Sequence, residues 1–223
     1  SHGSRLFYNA PVPEPSEPIH EVEAMMRLVA PLGVTGPPPP MSVTPSEAEV
    51  EKALQYLRRV GLKETDRVVA MQISSRKPQN RWPRERFREL ADKLQEKPGL
   101  RVLLLWAPGS ETNALHPGDD EKADWLISSM AKKPLVYRTG TLAELIAAMS
   151  LAETVVTPDG GAMHIAAALS KPVLTIWGST DIRRWAPWGV PHIILRNDTG
   201  QAGSISSEEA FEAFTKLYAR LSK

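Results

Sequence analysis

The chain contains no cysteine, no long apolar run and almost no net charge. The absence of cysteine excludes disulfides, thiolate nucleophiles and cysteine-based metal sites, and it fits a reducing compartment, so we expect a cytoplasmic location. No apolar run approaches the ~18–20 residues that cross a bilayer, and no signal peptide is visible. A formal net charge of +1 gives no general attraction to polyanions, which argues against nucleic acid as a partner.

Three common fingerprints are also missing from the sequence. There is no Gly-x-Ser-x-Gly elbow and no spacing of Ser, His and Asp that marks a triad, which disfavours a hydrolase. There is neither a Gly-x-Gly-x-x-Gly after a strand nor a Gly-x-x-x-x-Gly-Lys, so the usual dinucleotide and nucleoside triphosphate loops are absent. Any phosphate site must therefore be of another kind.

Proline is abundant and is concentrated before residue 46, where Pro37–Pro40 form an unbroken run. This spacing prevents continuous helix or sheet and favours an extended linker. Helical patterns at 19–32 and 44–60 interrupt it. We predict a tag remnant at 1–4 and a proline-rich linker with two helices at 5–66.

From residue 67 onward, short apolar segments alternate with helical patterns, which is typical of a parallel sheet covered on both faces. We therefore predict an α/β fold, a Rossmann-like three-layer sandwich, over residues 67–223. The predicted strands are 68–73, 101–106, 135–137, 154–157, 173–177 and 193–195. The predicted helices are 84–96, 120–131, 142–149, 161–169 and 207–221.

The stretch 155–169 (VVTPDGGAMHIAAAL) is the most informative one. A strand that stops at Asp159 and resumes as a helix at Gly161 directs free backbone N–H groups, and the positive end of the helix dipole, at one spot that suits a phosphate. Gly160 and Gly161 would let a ligand approach the backbone closely. Asp159 and His164 have two interpretations: a ligand-binding pair, or a helix cap and an ordinary helix residue.

A polar loop follows the first predicted strand and contains Ser74, Ser75, Arg76, Lys77 and Arg81. Hydroxyls can donate hydrogen bonds to phosphate oxygens, and the cations can neutralise charge on a leaving phosphate. The alternative is a solvated basic loop. Parallel α/β sheets bind ligands at the carboxyl ends of their strands, which is where this loop lies.

The loop after the second strand offers Trp106 to pack against a base, and Asp120 or Glu121 to accept hydrogen bonds from ribose hydroxyls. Asp119 and Asp120 also resemble a metal-binding pair, although acids are favoured at any helix start. We interpret 139–145 as mainly structural and 178–180 as a further part of the same cleft. The aromatic, basic stretch 183–188 predicts an irregular surface loop near a ligand or an interdomain face.

Together, 74–83, 141–145 and 157–172 resemble glycosyltransferase family nine, the heptosyltransferases. The last block is the specific one, because the family pattern has an Asp, a Ser or Thr, a Gly and then a His before an Ala-rich helix. The similarity spans roughly 68–180, and Gly178-Ser179-Thr180 matches the end of the pattern.

The resemblance implies a C-terminal, donor-binding half of a GT-B enzyme that transfers heptose from ADP-heptose to the lipopolysaccharide core, with inversion and without a metal or cofactor. It implies that Asp159 contacts the donor sugar, and that the basic loop stabilises the ADP leaving group. Asp120 or Glu121 would bind the ribose. The implied donor-binding residues are Ser74, Ser75, Arg76, Lys77, Arg81, Trp106, Asp120, Glu121, Asp159, Gly160, Gly161 and His164.

The sequence departs from the family pattern in two residues and in extent. Gly160 stands where the family has Ser or Thr, and Asn80 stands where it commonly has Lys. The resemblance implies an N-terminal domain that binds the acceptor and supplies the catalytic base, and we expect that domain to lie outside this sequence, because residues before 67 cannot form a second domain of ~150 residues. We therefore expect the isolated chain to be inactive, and the whole enzyme to be cytoplasmic or peripheral at the inner face of the inner membrane.

Two other functions fit the same residues. The first alternative is a non-catalytic module that binds a nucleotide or sugar nucleotide. The second is a GT-B transferase half that uses another donor, such as a UDP-sugar.

Overall fold

A computed structural model describes residues 11–113 and 117–221, and the predicted tag remnant at 1–4 lies outside these residues. All six predicted strands are present and form one parallel sheet in the order β3-β2-β1-β4-β5-β6. The strands are β1 (Arg67–Gln72), β2 (Leu100–Leu105), β3 (Leu135–Val136), β4 (Thr154–Pro158), β5 (Val173–Ile176) and β6 (His192–Leu195).

Helices cover both faces of this sheet, which confirms the predicted α/β sandwich. They are α1 (Glu21–Val29), α2 (Glu47–Arg59), α3 (Arg84–Glu96), α4 (Asp120–Ser129), α5 (Leu142–Ser150), α6 (Gly161–Ala168), α7 (Ile182–Trp185) and α8 (Ser207–Leu221). The prediction of an irregular loop at 183–188 was wrong at its start. There the Asp181 side chain accepts a hydrogen bond from the Arg183 N–H and begins the one-turn helix α7.

Two hydrophobic cores lie on the two faces of the sheet because strand side chains alternate in direction. Val69 and Met71 of β1 belong to the core under α3 and α8, which Phe87 and Phe214 fill. Val68 and Ala70 belong to the opposite core, together with Leu57 of α2. Each strand of the centre is thus buried on both sides, as the near-continuous apolar strand sequences predict.

The strand order reverses between β1 and β4. Strands β2 and β3 follow β1 to one side, whereas β4, β5 and β6 follow on the other. The register pairs Gln72 with Leu105 and Met71 with Val156, so the carboxyl ends of the three central strands lie at the same edge. A reversal of this kind leaves a crevice between the two loops that leave the sheet there.

The two helices of the predicted linker differ in how they pack. Helix α1 buries none of its residues, whereas α2 packs against α5 and buries Ala53 and Leu57 completely. His20, before α1, contacts the Ala186 carbonyl through Nε2 at 2.8 Å and caps the helix through Nδ1. The domain boundary predicted at residue 67 stays a prediction. Helix α2, which precedes it, belongs to the same hydrophobic core as one face of the sheet.

Replacing Leu57 with Ala should test whether α2 is integral to the fold. Leu57 is fully buried, so we expect the free energy of unfolding to fall by about 2–5 kcal/mol. The control is Val60→Ala at the end of the same helix, where the side chain is 47% exposed and the change should stay within about 0.5 kcal/mol. Urea denaturation measures both, and equal small losses would mean that α2 is only a linker.

Candidate functional site

A cleft of about 860 Å³ opens at the carboxyl edge of the sheet, at the point where the strand order reverses. Loops that follow β1, β2, β4 and β5 line it, and so does the turn between β3 and α5. Of the residues predicted from the sequence, the cleft brings together Ser74, Ser75, Arg76, Lys77, Trp106, Asp159, Gly160, Gly161 and His164. Arg81, Asp120 and Glu121 do not line it.

The two serines of the β1 loop connect that loop to its neighbours. Ser74 Oγ accepts a hydrogen bond from the Ala107 N–H at 2.8 Å. Burial raises the pKa of the nearby Asp119 carboxyl, and the Ser74 hydroxyl partly opposes this rise. Ser75 Oγ donates to the Asp159 carbonyl at 3.2 Å. Both hydroxyls therefore hold protein loops together, and the Ser75 hydroxyl can donate to a phosphate only by giving up its bond to the Asp159 carbonyl.

The cations of the same loop fall into two groups. Arg76 and Lys77 are exposed at the cleft and form no ion pair within residues 11–113 and 117–221. Arg81 instead turns back, and its Nε donates to the Ser75 carbonyl at 3.0 Å. Arg81 thus supports the loop, while Arg76 and Lys77 supply positive charge at the cleft itself.

The turn from β4 to α6 forms the wall of the cleft opposite this loop. The N–H groups of Gly160, Gly161 and Ala162 have no acceptor in the part of the chain that is described, as expected for the first turn of a helix. A Cβ at Gly160 or Gly161 would meet no protein atom within 4 Å. The glycines therefore leave space on the cleft side, which agrees with the predicted close approach of a ligand.

Asp159 is buried, with 7% of its surface exposed, and lies beside this turn. Its Oδ2 accepts a hydrogen bond of 2.7 Å from Nδ2 of Asn80, a second buried polar residue that lines the cleft. Asp159 Oδ1 has no protein partner among the described residues. One carboxylate oxygen is thus held in place while the other is available.

Gly178 explains how Asn80 reaches this position. A Cβ at Gly178 would overlap Asn80 Oδ1 and the Gln79 carbonyl, so only glycine permits the β1 loop to pack against the end of β5. Asn80 Nδ2 also lies 3.4 Å from Thr180 Oγ1, and Asn80 Oδ1 is buried with no hydrogen-bond donor in the described chain. The predicted contribution of 178–180 to the cleft is made through this contact and through Thr180, which lines the cleft.

His164 lies half-buried on the first turns of α6, with its ring 6.1 Å from the ring of Trp185. Burial lowers the pKa of His164, and the charge of Asp159 only partly opposes this effect. The imidazole is therefore neutral at neutral pH and presents one donor and one acceptor. Trp185 also lines the cleft but was not among the predicted site residues, because the stretch 183–188 predicted only an irregular surface loop.

Asp120 and Glu121 bind the protein's own loop. Asp120 Oδ1 accepts from Trp106 Nε1 at 2.7 Å and Oδ2 from the Gly109 N–H at 3.0 Å. Glu121 accepts a hydrogen bond of 2.7 Å from Ser110 Oγ. Within the described ranges no group of three or more His, Asp or Glu is arranged to hold a metal ion.

The turn between β3 and α5 was predicted to be mainly structural, but it also lines the cleft. Thr141 and Glu144 form the expected capping box at the start of α5. Thr139, Gly140, Thr141 and Leu142 face the cleft, and Leu142 is an exposed apolar residue at its rim, with 62% of its surface accessible. The position of this turn at a strand's carboxyl end was the signal that could have identified it.

Comparison of the sequence with known protein families identifies the family of this chain. Residues 1–214 match the family model described as glycosyltransferase family 9 (heptosyltransferase). Lipopolysaccharide heptosyltransferase 3 of Escherichia coli K12 is 28% identical over 171 residues, which are 76% of this chain and 47% of that protein. Lipopolysaccharide heptosyltransferase 1 of the same strain is 26% identical over 61% of this chain and 40% of its own length.

Solved structures show the same fold. A family 9 glycosyl transferase of Veillonella parvula superposes with a TM-score of 0.80 at 22% identity, covering 92% of this chain and 62% of that one. The E. coli heptosyltransferase WaaC with ADP superposes with a TM-score of 0.66 at 21% identity. The match covers 95% of this chain and 61% of that one. This chain therefore spans about half the length of the curated relatives it matches. The predicted fold, one half of a GT-B glycosyltransferase, is confirmed, and the chain belongs to glycosyltransferase family 9, the heptosyltransferases.

Proposed function

We propose that this chain is the donor-binding half of a metal-independent, inverting glycosyltransferase that transfers heptose from an ADP-heptose-like donor in lipopolysaccharide core synthesis. The observation that carries the proposal is the cleft at the strand reversal. There, unpaired cations and free helix N–H groups face a carboxylate that has one available oxygen. The relative WaaC is solved with ADP and with ADP-2-deoxy-2-fluoro heptose, which supports the choice of donor.

In this proposal the diphosphate lies between the β1 loop and the start of α6. Arg76 and Lys77 neutralise its charge, and the Gly160 and Gly161 N–H groups donate to its oxygens. Positive charge at this place also stabilises the nucleoside diphosphate as it leaves. Ser74 and Ser75 act mainly by fixing the loop, since their hydroxyls already bind the Ala107 N–H and the Asp159 carbonyl.

The sugar is proposed to lie over Asp159. The free Oδ1 can accept hydrogen bonds from sugar hydroxyls, while Asn80 fixes the orientation of the carboxylate through Oδ2. His164, neutral and at the edge of the same wall, can donate or accept a further bond.

The base and ribose are proposed to bind toward the other end of the cleft, between Trp106, Pro108 and the apolar rim at Leu142. Asp120 and Glu121 are assigned no ribose contact in this proposal, because both carboxylates are engaged by Trp106, Gly109 and Ser110. Their role is to shape the loop that carries Trp106.

Transfer with inversion also needs a base that deprotonates the acceptor hydroxyl on the face opposite the leaving group. We propose that a partner domain supplies this base and binds the lipopolysaccharide precursor, and that the chain alone binds the donor without transferring it. No helix of the described residues is long and apolar enough to cross a membrane. The proposed location is the cytoplasm, with peripheral contact at the inner face of the inner membrane.

A second candidate is a transferase half that uses another donor, such as a UDP-sugar. The observation that favours it is Asn80, a neutral residue beside Asp159 where the family pattern commonly has Lys. Competition between ADP and UDP for the cleft separates the two candidates.

Titration calorimetry with ADP tests the central proposal. We expect saturable binding of ADP that is unchanged by a chelator and stronger than binding of UDP. Tighter binding of UDP would favour the second candidate. Absence of any binding at millimolar concentration to a folded sample would contradict both.

Replacing Asp159 with Asn should separate the sugar from the nucleotide. The variant keeps the shape and can still accept the bond from Asn80, but it loses the charged acceptor for sugar hydroxyls. We expect the affinity for the sugar nucleotide to fall about 10-fold, as for loss of a charged hydrogen bond, while ADP binding stays within about twofold. Asp198→Asn, at an exposed carboxylate outside the cleft, is the matched control. Equal losses for both ligands would contradict the assignment of Asp159 to the sugar.

Replacing Arg76 or Lys77 with Gln should weaken binding of ADP and of the sugar nucleotide to the same extent. Both side chains are exposed, so each loss should be modest, about two- to fivefold, and should shrink at high ionic strength. Arg196→Gln, another exposed arginine outside the cleft, is the control. Losses that appear only with the sugar nucleotide, or that do not respond to salt, would mean that these cations do not bind the diphosphate.

A further inference from the structure

A buried lysine lies beneath the β1 loop and takes no part in the proposed ligand contacts. Lys122 belongs to the first turn of α4, and its side chain is 8% exposed. Its Nζ donates to the Ile73 carbonyl at 2.9 Å and to the Trp82 carbonyl at 3.2 Å. Nζ also lies 4.0 Å from Asp119 Oδ1 and 4.6 Å from the centre of the Phe87 ring.

The two carbonyls mark the beginning and the end of one loop. Between Ile73 and Trp82 the chain leaves β1, carries Arg76 and Lys77 along the cleft, and returns to the start of α3. One ammonium group therefore bridges both ends of the segment that supplies the positive charge of the cleft.

Each end of this loop is also anchored in the fold. The Ile73 N–H donates to the Leu105 carbonyl at 3.0 Å, which continues the β1–β2 pairing by one residue. Trp82 is buried, and its Nε1 donates to the Ile205 carbonyl at 2.9 Å. Lys122 thus adds a direct link between two anchored points, and this link restricts movement of the loop between them.

Asp119 extends the bridge to the neighbouring loop. Its carboxylate pairs with Lys122 and interacts electrostatically with the hydroxyl of Ser74, whose Oγ accepts from the Ala107 N–H. The chain of contacts runs from the ammonium through Asp119 and Ser74 to the β2 loop that carries Trp106. Both loops of the cleft on this side therefore depend on the same pair of buried charges.

This arrangement is costly for stability. Burial lowers the pKa of Lys122 to about 8, so the folded state holds this proton less tightly than the unfolded chain does. Between that value and the ordinary 10.5, the unfolded chain binds more protons, and Lys122 makes the free energy of unfolding rise with pH. Apolar residues often fill such a place at lower cost. Because the buried ammonium of Lys122 is costly for the stability of the fold, its presence is better explained by a role in positioning the loop.

We propose that Lys122 is a positioning residue for the donor cleft: by bridging the Ile73 and Trp82 carbonyls, it holds the β1 loop in the shape that aims Arg76 and Lys77 at the diphosphate. This inference rests on the proposed function, in which those cations bind the diphosphate. It concerns the geometry of the loop and assigns Lys122 no contact with the ligand.

The test compares ADP binding by the wild type, Lys122→Met and Lys171→Met. Lys171 is the matched control, because it is also a partly buried lysine with a lowered pKa but lies before β5, outside the cleft. We expect Lys122→Met to bind ADP about 10-fold more weakly, which corresponds to about 1.4 kcal/mol, and Lys171→Met to bind like the wild type. A folded Lys122→Met variant with unchanged affinity would overturn the inference, whereas a wild type that binds no ADP would overturn the proposed function.

Chemical rescue shows whether the ammonium itself is needed. Because the chain has no cysteine, Lys122→Cys carries the one thiol and can be alkylated selectively in denaturant before refolding. Aminoethylation rebuilds a lysine-like ammonium, and carbamidomethylation adds a neutral group as the control. We expect only the aminoethylated protein to recover ADP affinity. Equal affinities of the two adducts would count against the bridge.

A pH profile of the unmodified protein covers the case in which these variants do not fold. The charged groups that face Lys122 are Asp119, Glu111 and Glu85, which favour its ammonium form, and Arg81, which opposes it. As the pH rises through about 8, Lys122 loses its proton. The neutral amine keeps two N–H donors for the carbonyls but loses the charge that strengthens these bonds and pairs with Asp119, so we expect ADP affinity to fall. The Lys171→Met control should show the same fall. An affinity that stays constant over this range would contradict a role for the charge of Lys122.

Discussion

The cleft depends on the hydrogen bonds that cross from the β1 loop to the β4 turn. Asn80 Nδ2 holds Asp159 Oδ2, and Ser75 Oγ holds the Asp159 carbonyl, so the two loops are joined at the point where the strand order reverses. Strand reversal alone opens a crevice, but it does not fix the separation of its walls. These two bonds do so, and the absence of a side chain at Gly178 is what allows Asn80 to reach Asp159.

The polar groups of the cleft are of two kinds: those that already bind other protein groups and those that do not. Ser74, Ser75, Arg81 and Asp120 are already engaged by other protein groups, so they define shape. Arg76, Lys77 and the first N–H groups of α6 have no protein partner in the described residues and remain available to a ligand. A rigid frame that carries a few unsatisfied groups is what a preorganised anion site requires.

The sequence predicted the frame well because its signals are local. Alternating strands and helices identified the sheet, and the polar loops at strand ends located Ser74 to Lys77 and Asp159 to His164 in one cleft. Sequence alone could not show that Asp120 and Glu121 turn toward their own loop. An acidic residue at a helix start gives the same sequence pattern whether its side chain binds a ligand or a group of the protein. Lys122 was missed for a related reason: a lysine in the first turn of a helix is typical of a solvated surface.

The charges of the cleft also constrain what lies over Asp159 in the proposed complex. No cation forms an ion pair with this carboxylate within the described chain, and Asn80 beside it is neutral. A phosphate placed directly on Asp159 Oδ1 would therefore meet an uncompensated like charge. A sugar hydroxyl, in contrast, donates a proton to that oxygen and separates it from the diphosphate, which is drawn instead toward Arg76 and Lys77. In the proposed complex the sugar therefore lies at Asp159, and the diphosphate lies between the cationic loop and the start of α6.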